Sequence, residues 1–101
     1  MFIILTSKPG QFNSEICDVA KLIEAYNYVF FKEIKAKFFI YQIESDIKIK
    51  ITDETSPIVT NYISSKFLEK FSSIEEARSE LRTLAPTNNL NIQLTQANIN
   101  Q

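Results

Sequence analysis

The sequence of 101 residues contains no histidine and no tryptophan, and it has only one cysteine and one glycine. Because histidine is the commonest general base and metal ligand, its absence excludes every catalytic triad or metal site that depends on an imidazole. With Cys17 as its only cysteine, the chain has no intramolecular disulfide and no cysteine-rich zinc site. No other motif specifies a chemistry. We therefore expect no metal and no cofactor, and an enzymatic activity is not favoured.

An excess of charge of either sign is also missing. The chain has 11 basic and 12 acidic residues, for a formal net charge of −1. Such a balance provides no overall field that would attract nucleic acid or an anionic membrane, and we expect neither as a partner. The apolar run at the amino terminus, Phe2–Leu5, is too short for a signal-peptide core or a membrane span. Together with the single cysteine, this predicts a reducing, cytoplasmic setting.

The length is that of a single domain. Apolar residues make up 45% and charged residues 23%, which is typical of a globular protein. We assign residues 1–85 to one globular domain. Residues 86–101 contain no charged residue and are rich in Asn and Gln, which predicts a disordered tail. Leu90, Ile92 and Leu94 alternate with polar residues, however, so an added strand at a sheet edge is the alternative.

Runs of β-branched and aromatic residues predict several strands. Residues 14–25 are ambiguous, because Ser14 resembles a helix cap while the residues from Ile23 onward favour a strand. We favour a short helix over Glu15–Lys21. The predicted strands are Phe2–Thr6, Ile23–Phe31, Ala36–Ile43, Ile47–Ile51 and Ile58–Ile63.

A carboxy-terminal helix is the most clearly marked element. Ser73 and Glu76 fit a capping box, in which the serine hydroxyl accepts a backbone N–H and the glutamate reaches back. Pro86 ends the pattern. We expect the helix to pack on one face of a meandering antiparallel β-sheet of four to five strands, which is an α+β fold. Its apolar stripe comprises Ile74, Ala77, Leu81 and Leu84.

The predicted strand Ala36–Ile43 is apolar on both faces, although a strand with one wet face should alternate. Each side of it must therefore be covered. Pairing Tyr28 with Phe39 and Tyr41 with Ile49 defines two faces of the sheet. The helix is expected to cover one face. The patch predicted to stay open on the other face comprises Val29, Phe31, Phe38 and Ile40.

Two functional hypotheses follow from these faces. The first is a small non-enzymatic binding or accessory protein that forms a homodimer, or docks on a larger protein, through the open patch. The second is a small-molecule-binding protein or small enzyme, with an apolar ligand held between sheet and helix and oriented by the hydroxyls of Tyr26, Tyr28 and Tyr41. The first hypothesis loses its main support if Ile16, Val19 and Ile23 cover the second face.

Overall fold

The computed structural model describes residues 1–55, 59–87 and 91–97, which form two antiparallel sheets and one α-helix. The predicted α+β class with a carboxy-terminal helix is confirmed. The elements are β1 (Phe2–Ser7), β2 (Phe12–Ile16), β3 (Lys21–Phe30), β4 (Glu33–Gln42), β5 (Lys48–Asp53), β6 (Val59–Ser64), a 3₁₀ turn (Ser65–Phe67), α1 (Ile74–Leu84) and β7 (Ile92–Ala97).

The number of strands and their pairing differ from the prediction. The described residues contain seven strands, in a sheet of order β1-β4-β3-β7 and a second sheet of order β2-β5-β6. The predicted pair of Tyr41 with Ile49 is not formed, because Tyr41 pairs with Ile3 on β1 while Ile49 pairs with Ile16 on β2. The loop between β4 and β5 therefore crosses from one sheet to the other instead of closing a hairpin.

The register of the hairpin between β3 and β4 also differs. Tyr28 pairs with Ala36, whereas the sequence predicted Phe39 as its partner. The connection is a two-residue turn at Phe31 and Lys32, whose φ angles are 51° and 66°. A type I′ turn has positive φ at both central residues, but neither residue here is the Gly or Asn that such a turn prefers. An irregularity in the register between Tyr28 and Val29 then places Tyr26 and Tyr28 on the face of Phe38 instead of the predicted face of Phe39.

The predicted helix at Glu15–Lys21 is wrong. Residues Phe12–Ile16 form β2, which pairs with β5 and brings Ile16 next to Ile49. The Ser14 hydroxyl caps no helix but donates to the carbonyl of Thr6 at 2.6 Å. The helical spacing of apolar residues was a weak signal, and pairing with β5 outweighs it because the ladder satisfies the backbone and covers Ile49.

Helix α1 begins where the capping pattern predicted. The Ser73 hydroxyl accepts the backbone N–H of Glu76 at 3.1 Å. The second half of the box is not formed, since the Glu76 carboxylate accepts from the hydroxyl of Ser72 instead. Ala77 and Leu81 of the predicted stripe are buried against the first sheet, and Ile74 packs beside them. Leu84 was wrongly included, since it is 50% exposed, and Ala85 is buried instead.

The core consists of two clusters on the two sides of β4. This explains why β4 is apolar on both faces: α1 covers one, and the second sheet covers the other. The cluster under the helix comprises Ala36, Phe38, Ile40, Phe71, Ala77, Leu81 and Ala85. The cluster between the sheets comprises Ile3, Leu5, Ile43, Ile47 and Ile49, with Ile16 and Ala20 packed against it.

Strand β7 lies within the segment 86–101 for which the composition predicted disorder. It pairs with β3, placing Leu94 beside Tyr28, and so forms the added edge strand that was the alternative. Residues 88–90 and 98–101 of this segment, including Leu90, lie outside the described residues, as does Ile58 of the predicted fifth strand.

Candidate interaction site at the edge of the second sheet

The four residues predicted to form an open patch do not form one surface. Phe38 and Ile40 are 6% and 0% exposed and lie in the core beneath α1. Val29 is half-buried, and Phe31 lies in the turn between β3 and β4 with 61% of its surface exposed. The predicted patch is thus corrected, because α1 covers the face of β4 that carries Phe38 and Ile40.

The three tyrosines predicted to line a pocket are also separated. The Tyr26 hydroxyl donates to Glu24 Oε1 at 2.7 Å, and the Tyr28 hydroxyl donates to the carbonyl of Pro86 at 2.9 Å. Tyr41 packs on the opposite side of β4, between the sheets. Burial raises the pKa of Tyr26, and its hydrogen bond to the Glu24 carboxylate raises it further. These tyrosines serve the two core clusters.

Among the described elements, strand β6 carries the largest number of exposed large apolar side chains. Every residue from Val59 to Ile63 is exposed, so neither face of the strand is covered along this stretch. Val59 is 46%, Tyr62 59% and Ile63 36% exposed, and Phe67 in the following turn is 81% exposed. In the described part of the chain β6 pairs with β5 alone, which leaves its other edge open.

The open edge presents a defined set of backbone groups. The Ser65 amide donates to the carbonyl of Ile47 at 2.9 Å, which continues the register of the β5–β6 ladder. Because bonded pairs alternate along an antiparallel ladder, the amide of Asn61 is directed toward β5. Those of Thr60 and Tyr62 are directed away from it. These two residues therefore offer donors and acceptors to an additional strand.

A buried hydrogen-bond network holds the carboxyl end of β6. Ser65 is fully buried, and its hydroxyl donates to Asp46 Oδ1 at 2.8 Å while accepting the Ile47 amide at 2.9 Å. Lys70 bonds the Ser65 carbonyl at 2.9 Å and lies 3.1 Å from Asp46 Oδ1. The Ser65 hydroxyl and the Lys70 ammonium lower the pKa of the Asp46 carboxyl. This network connects the end of β6 to the loop before β5.

The two faces of β6 differ in character. Tyr62 pairs with Lys50, and the ammonium of Lys48 lies 5.8 Å from the centre of the Tyr62 ring. A cation over an aromatic face at an exposed site contributes about 0.5–1 kcal/mol. Ile63 lies on the other face, beside the buried Ile49. A shallow cleft of about 250 Å³ extends along this end of the strand from Asp46 to Ile63.

A second, larger and more enclosed cleft of about 420 Å³ lies between the β2–β3 and β4–β5 loops. Its polar side chains include Asp18, Lys21 and Glu44, and its apolar ones include Val19 and Ile43. Within residues 1–55, 59–87 and 91–97, no three acidic or cysteine side chains are grouped closely enough to hold a metal ion. The cleft therefore offers a mixed polar and apolar surface.

Comparisons with family models, curated proteins and solved structures found no match for this chain. Among the residues described, no helix has the length and apolar character needed to cross a membrane.

The sequence analysis did not identify the residues of this edge as a site. They are Val59, Tyr62, Ile63 and Phe67. A signal was present, since Val59–Ser64 contains neither a charged residue nor proline. Natural proteins use charged side chains and proline to keep an edge strand from pairing with another chain.

Proposed function

We propose that this chain is a small non-enzymatic binding or accessory protein that associates with another protein strand through the open edge of β6. The observation that carries the proposal is the exposure of every residue from Val59 to Ile63 on a strand with one open edge. A long, uncharged edge strand is a template for pairing with another chain. Addition of a strand to an exposed edge is a recurrent mode of protein recognition.

The backbone supplies affinity in such a complex, and the side chains supply specificity. Thr60 and Tyr62 direct their amides and carbonyls outward, where an incoming strand pairs with them. The exposed ring of Tyr62 contacts the partner on one face, and Ile63 contacts it on the other. The network at Ser65 keeps the edge in place before the partner arrives, which lowers the ordering cost of binding. A reducing, cytoplasmic setting, inferred from the single Cys17, is part of this proposal.

Site-specific photo-cross-linking in cells tests the proposal. A photoreactive phenylalanine analogue at Tyr62 is expected to give a reproducible adduct with a defined protein, identified by mass spectrometry. The same analogue at Leu84, an exposed apolar residue at the end of α1, serves as the matched control. Thr60→Pro should abolish the Tyr62 adduct. Equal adducts from both positions, or none from Tyr62, would show that β6 is not a binding edge.

A second candidate function is binding of a small molecule in the cleft of about 420 Å³ between the two loops. The mixed lining is compatible with an amphipathic ligand, since Val19 and Ile43 are apolar while Lys21 is charged. Screening of small amphipathic compounds by thermal shift tests this function. A ligand that stabilises the wild-type protein, but not a variant in which Ala20→Trp fills the cleft, would support it.

A further inference from the structure

We infer that the strand paired with the open edge of β6 is the β6 of a second copy of this chain, antiparallel and related by a two-fold axis at Asn61. This inference rests on the proposed function and names the partner. An isologous interface requires a surface that is complementary to itself. Strand β6 meets this condition in its charge and in its apolar side chains.

The charge argument begins with the composition of β6, which contains no charged residue. Like charges directly opposite each other in a sheet are destabilising. Antiparallel pairing of β6 with its own copy places no charges opposite each other. The basic residues on the neighbouring strand β5 are Lys48 and Lys50. Three strand spacings separate β5 from its symmetry mate, or about 14 Å. This exceeds the Debye length of about 8 Å at physiological salt, so their repulsion is largely screened.

The pairing geometry follows from the outward amides. With the axis at Asn61, Thr60 of each copy exchanges hydrogen bonds with Tyr62 of the other. Ile63 then lies opposite the second copy's Val59, so that two exposed apolar side chains cover each other. The two Asn61 side chains face each other across the axis. The two three-stranded sheets become one sheet of six strands.

The other edges of the fold are less suited to this pairing. The end of β1 exchanges two backbone hydrogen bonds of 2.8 Å with Phe71. Strand β2 carries the exposed charge of Glu15. Strand β7 is also uncharged, but Ile92 and Leu94 are partly buried, and Leu94 packs against the core cluster under the helix. By the same alternation of bonded pairs, the amide of Gln96 is directed away from β3. Strand β7 therefore provides a matched control for substitutions on the open edge of β6.

Disulfide trapping tests the position of the axis. In a Cys17→Ser background, Asn61→Cys places two thiols opposite each other in a non-bonded pair, where Cα atoms are about 4.5 Å apart. This separation is within the range of disulfides. Val59→Cys, the control, places its thiols about 14 Å apart along the strands. Mild oxidation should give dimers from N61C at least tenfold faster than from V59C. Equal rates would overturn the proposed pairing.

Sedimentation equilibrium of purified protein tests the backbone pairing. Thr60→Pro removes an outward amide without removing a β5–β6 hydrogen bond, and proline is tolerated at such edge positions. It should raise the dimer dissociation constant by roughly tenfold to a hundredfold, because each copy loses one bond. Thr60→Ala and Gln96→Pro should leave the constant within about threefold of wild type. Circular dichroism and thermal melts establish that each variant is folded.

The outcomes separate this inference from the proposed function. Dimers weakened by Thr60→Pro and trapped at residue 61 support both. Dimers weakened by Gln96→Pro alone place the contact at β7 and overturn the inference. A monomer at every concentration, with Tyr62 cross-linked in cells to a different protein, overturns the second copy as partner but supports the proposed function. A monomer with no cross-link at Tyr62 overturns both.

Discussion

The guanidinium of Arg78 on α1 donates two hydrogen bonds to the carboxylate of Glu24 on β3, although the two residues are 54 positions apart in the chain. The Nε–Oε1 distance is 3.0 Å, and Glu24 is buried. Tyr26 donates a third bond to the same carboxylate. The pair connects the helix to the first sheet at the position where β3 has a register irregularity, between Leu22 and Glu24.

Replacing Glu24 by Gln should make the stability of the protein less dependent on pH. Hydrogen bonds from Arg78, and then from Tyr26, hold the pKa of the Glu24 carboxyl below its ordinary value of 4.5, although burial acts in the opposite direction. A lowered carboxyl pKa stabilises the folded state above pH 4.5, and this contribution is lost as the pH falls through the folded-state pKa.

The measurement is urea unfolding of wild type and E24Q between pH 7 and pH 3. At pH 7 wild type should be about 1–2 kcal/mol more stable, a value reduced by the partial exposure of Arg78. The difference should shrink below pH 4.5. Glu33→Gln, which removes an exposed pair with Lys35, serves as the control and should change the stability little. A constant difference at all pH values would contradict the assignment to Glu24.

Truncation of Phe38 should test the position of the core. Phe38→Ala is expected to cost about 3–5 kcal/mol, because the ring lies beneath α1 and leaves a cavity. Phe67→Ala, at a ring that is 81% exposed, should change the free energy of unfolding by less than about 0.5 kcal/mol. Chemical denaturation measures both. Similar costs for the two substitutions would mean that Phe38 is not a core residue.

Changing the turn between β3 and β4 should stabilise the protein. Phe31 and Lys32 both have positive φ, a conformation that costs an L-residue other than Asn or Gly about 1 kcal/mol or more. The double change Phe31→Asn and Lys32→Gly should therefore raise the free energy of unfolding by about 1–2 kcal/mol. Lys37→Gly, in the interior of β4, should lower it. Destabilisation by the turn variant would contradict the positive φ angles at Phe31 and Lys32.

Removal of the Ser65 hydroxyl should destabilise the protein, because this hydroxyl is the centre of the network at the end of β6. Ser65→Ala leaves the amide of Ile47 without its partner in a buried position, at a cost of about 1–3 kcal/mol. Ser79→Ala, on the exposed side of α1, should have almost no effect. Hydrogen exchange monitored by NMR should also show faster exchange of the Ile47 amide in S65A. An unchanged exchange rate would argue against the bond.

Several elements could be predicted from the sequence because their determinants are local. Ser73 caps α1 through a residue three positions away, so the pattern alone predicts where the helix begins. The apolar character of β4 on both faces indicated that each side must be covered, but the open face predicted for a partner is in fact covered within the chain. The absence of histidine and the balance of charges narrowed the classes of function that we expect. Both are properties of composition, which folding does not alter.

The register, the second sheet and the candidate site were decided by tertiary contacts. The register irregularity between Tyr28 and Val29 gives no signal in the sequence, yet it determines that Tyr26 and Tyr28 share a face with Phe38. Ile16 leaves a helical pattern for a strand because β5 provides a partner for its backbone. The edge of β6 is open because β6 comes last in its sheet, with β5 as its neighbour in the described residues. The periodicity of the sequence carries no information about this strand order. The sequence by itself thus determined which side chains are apolar, and long-range strand pairing determined which of them are buried.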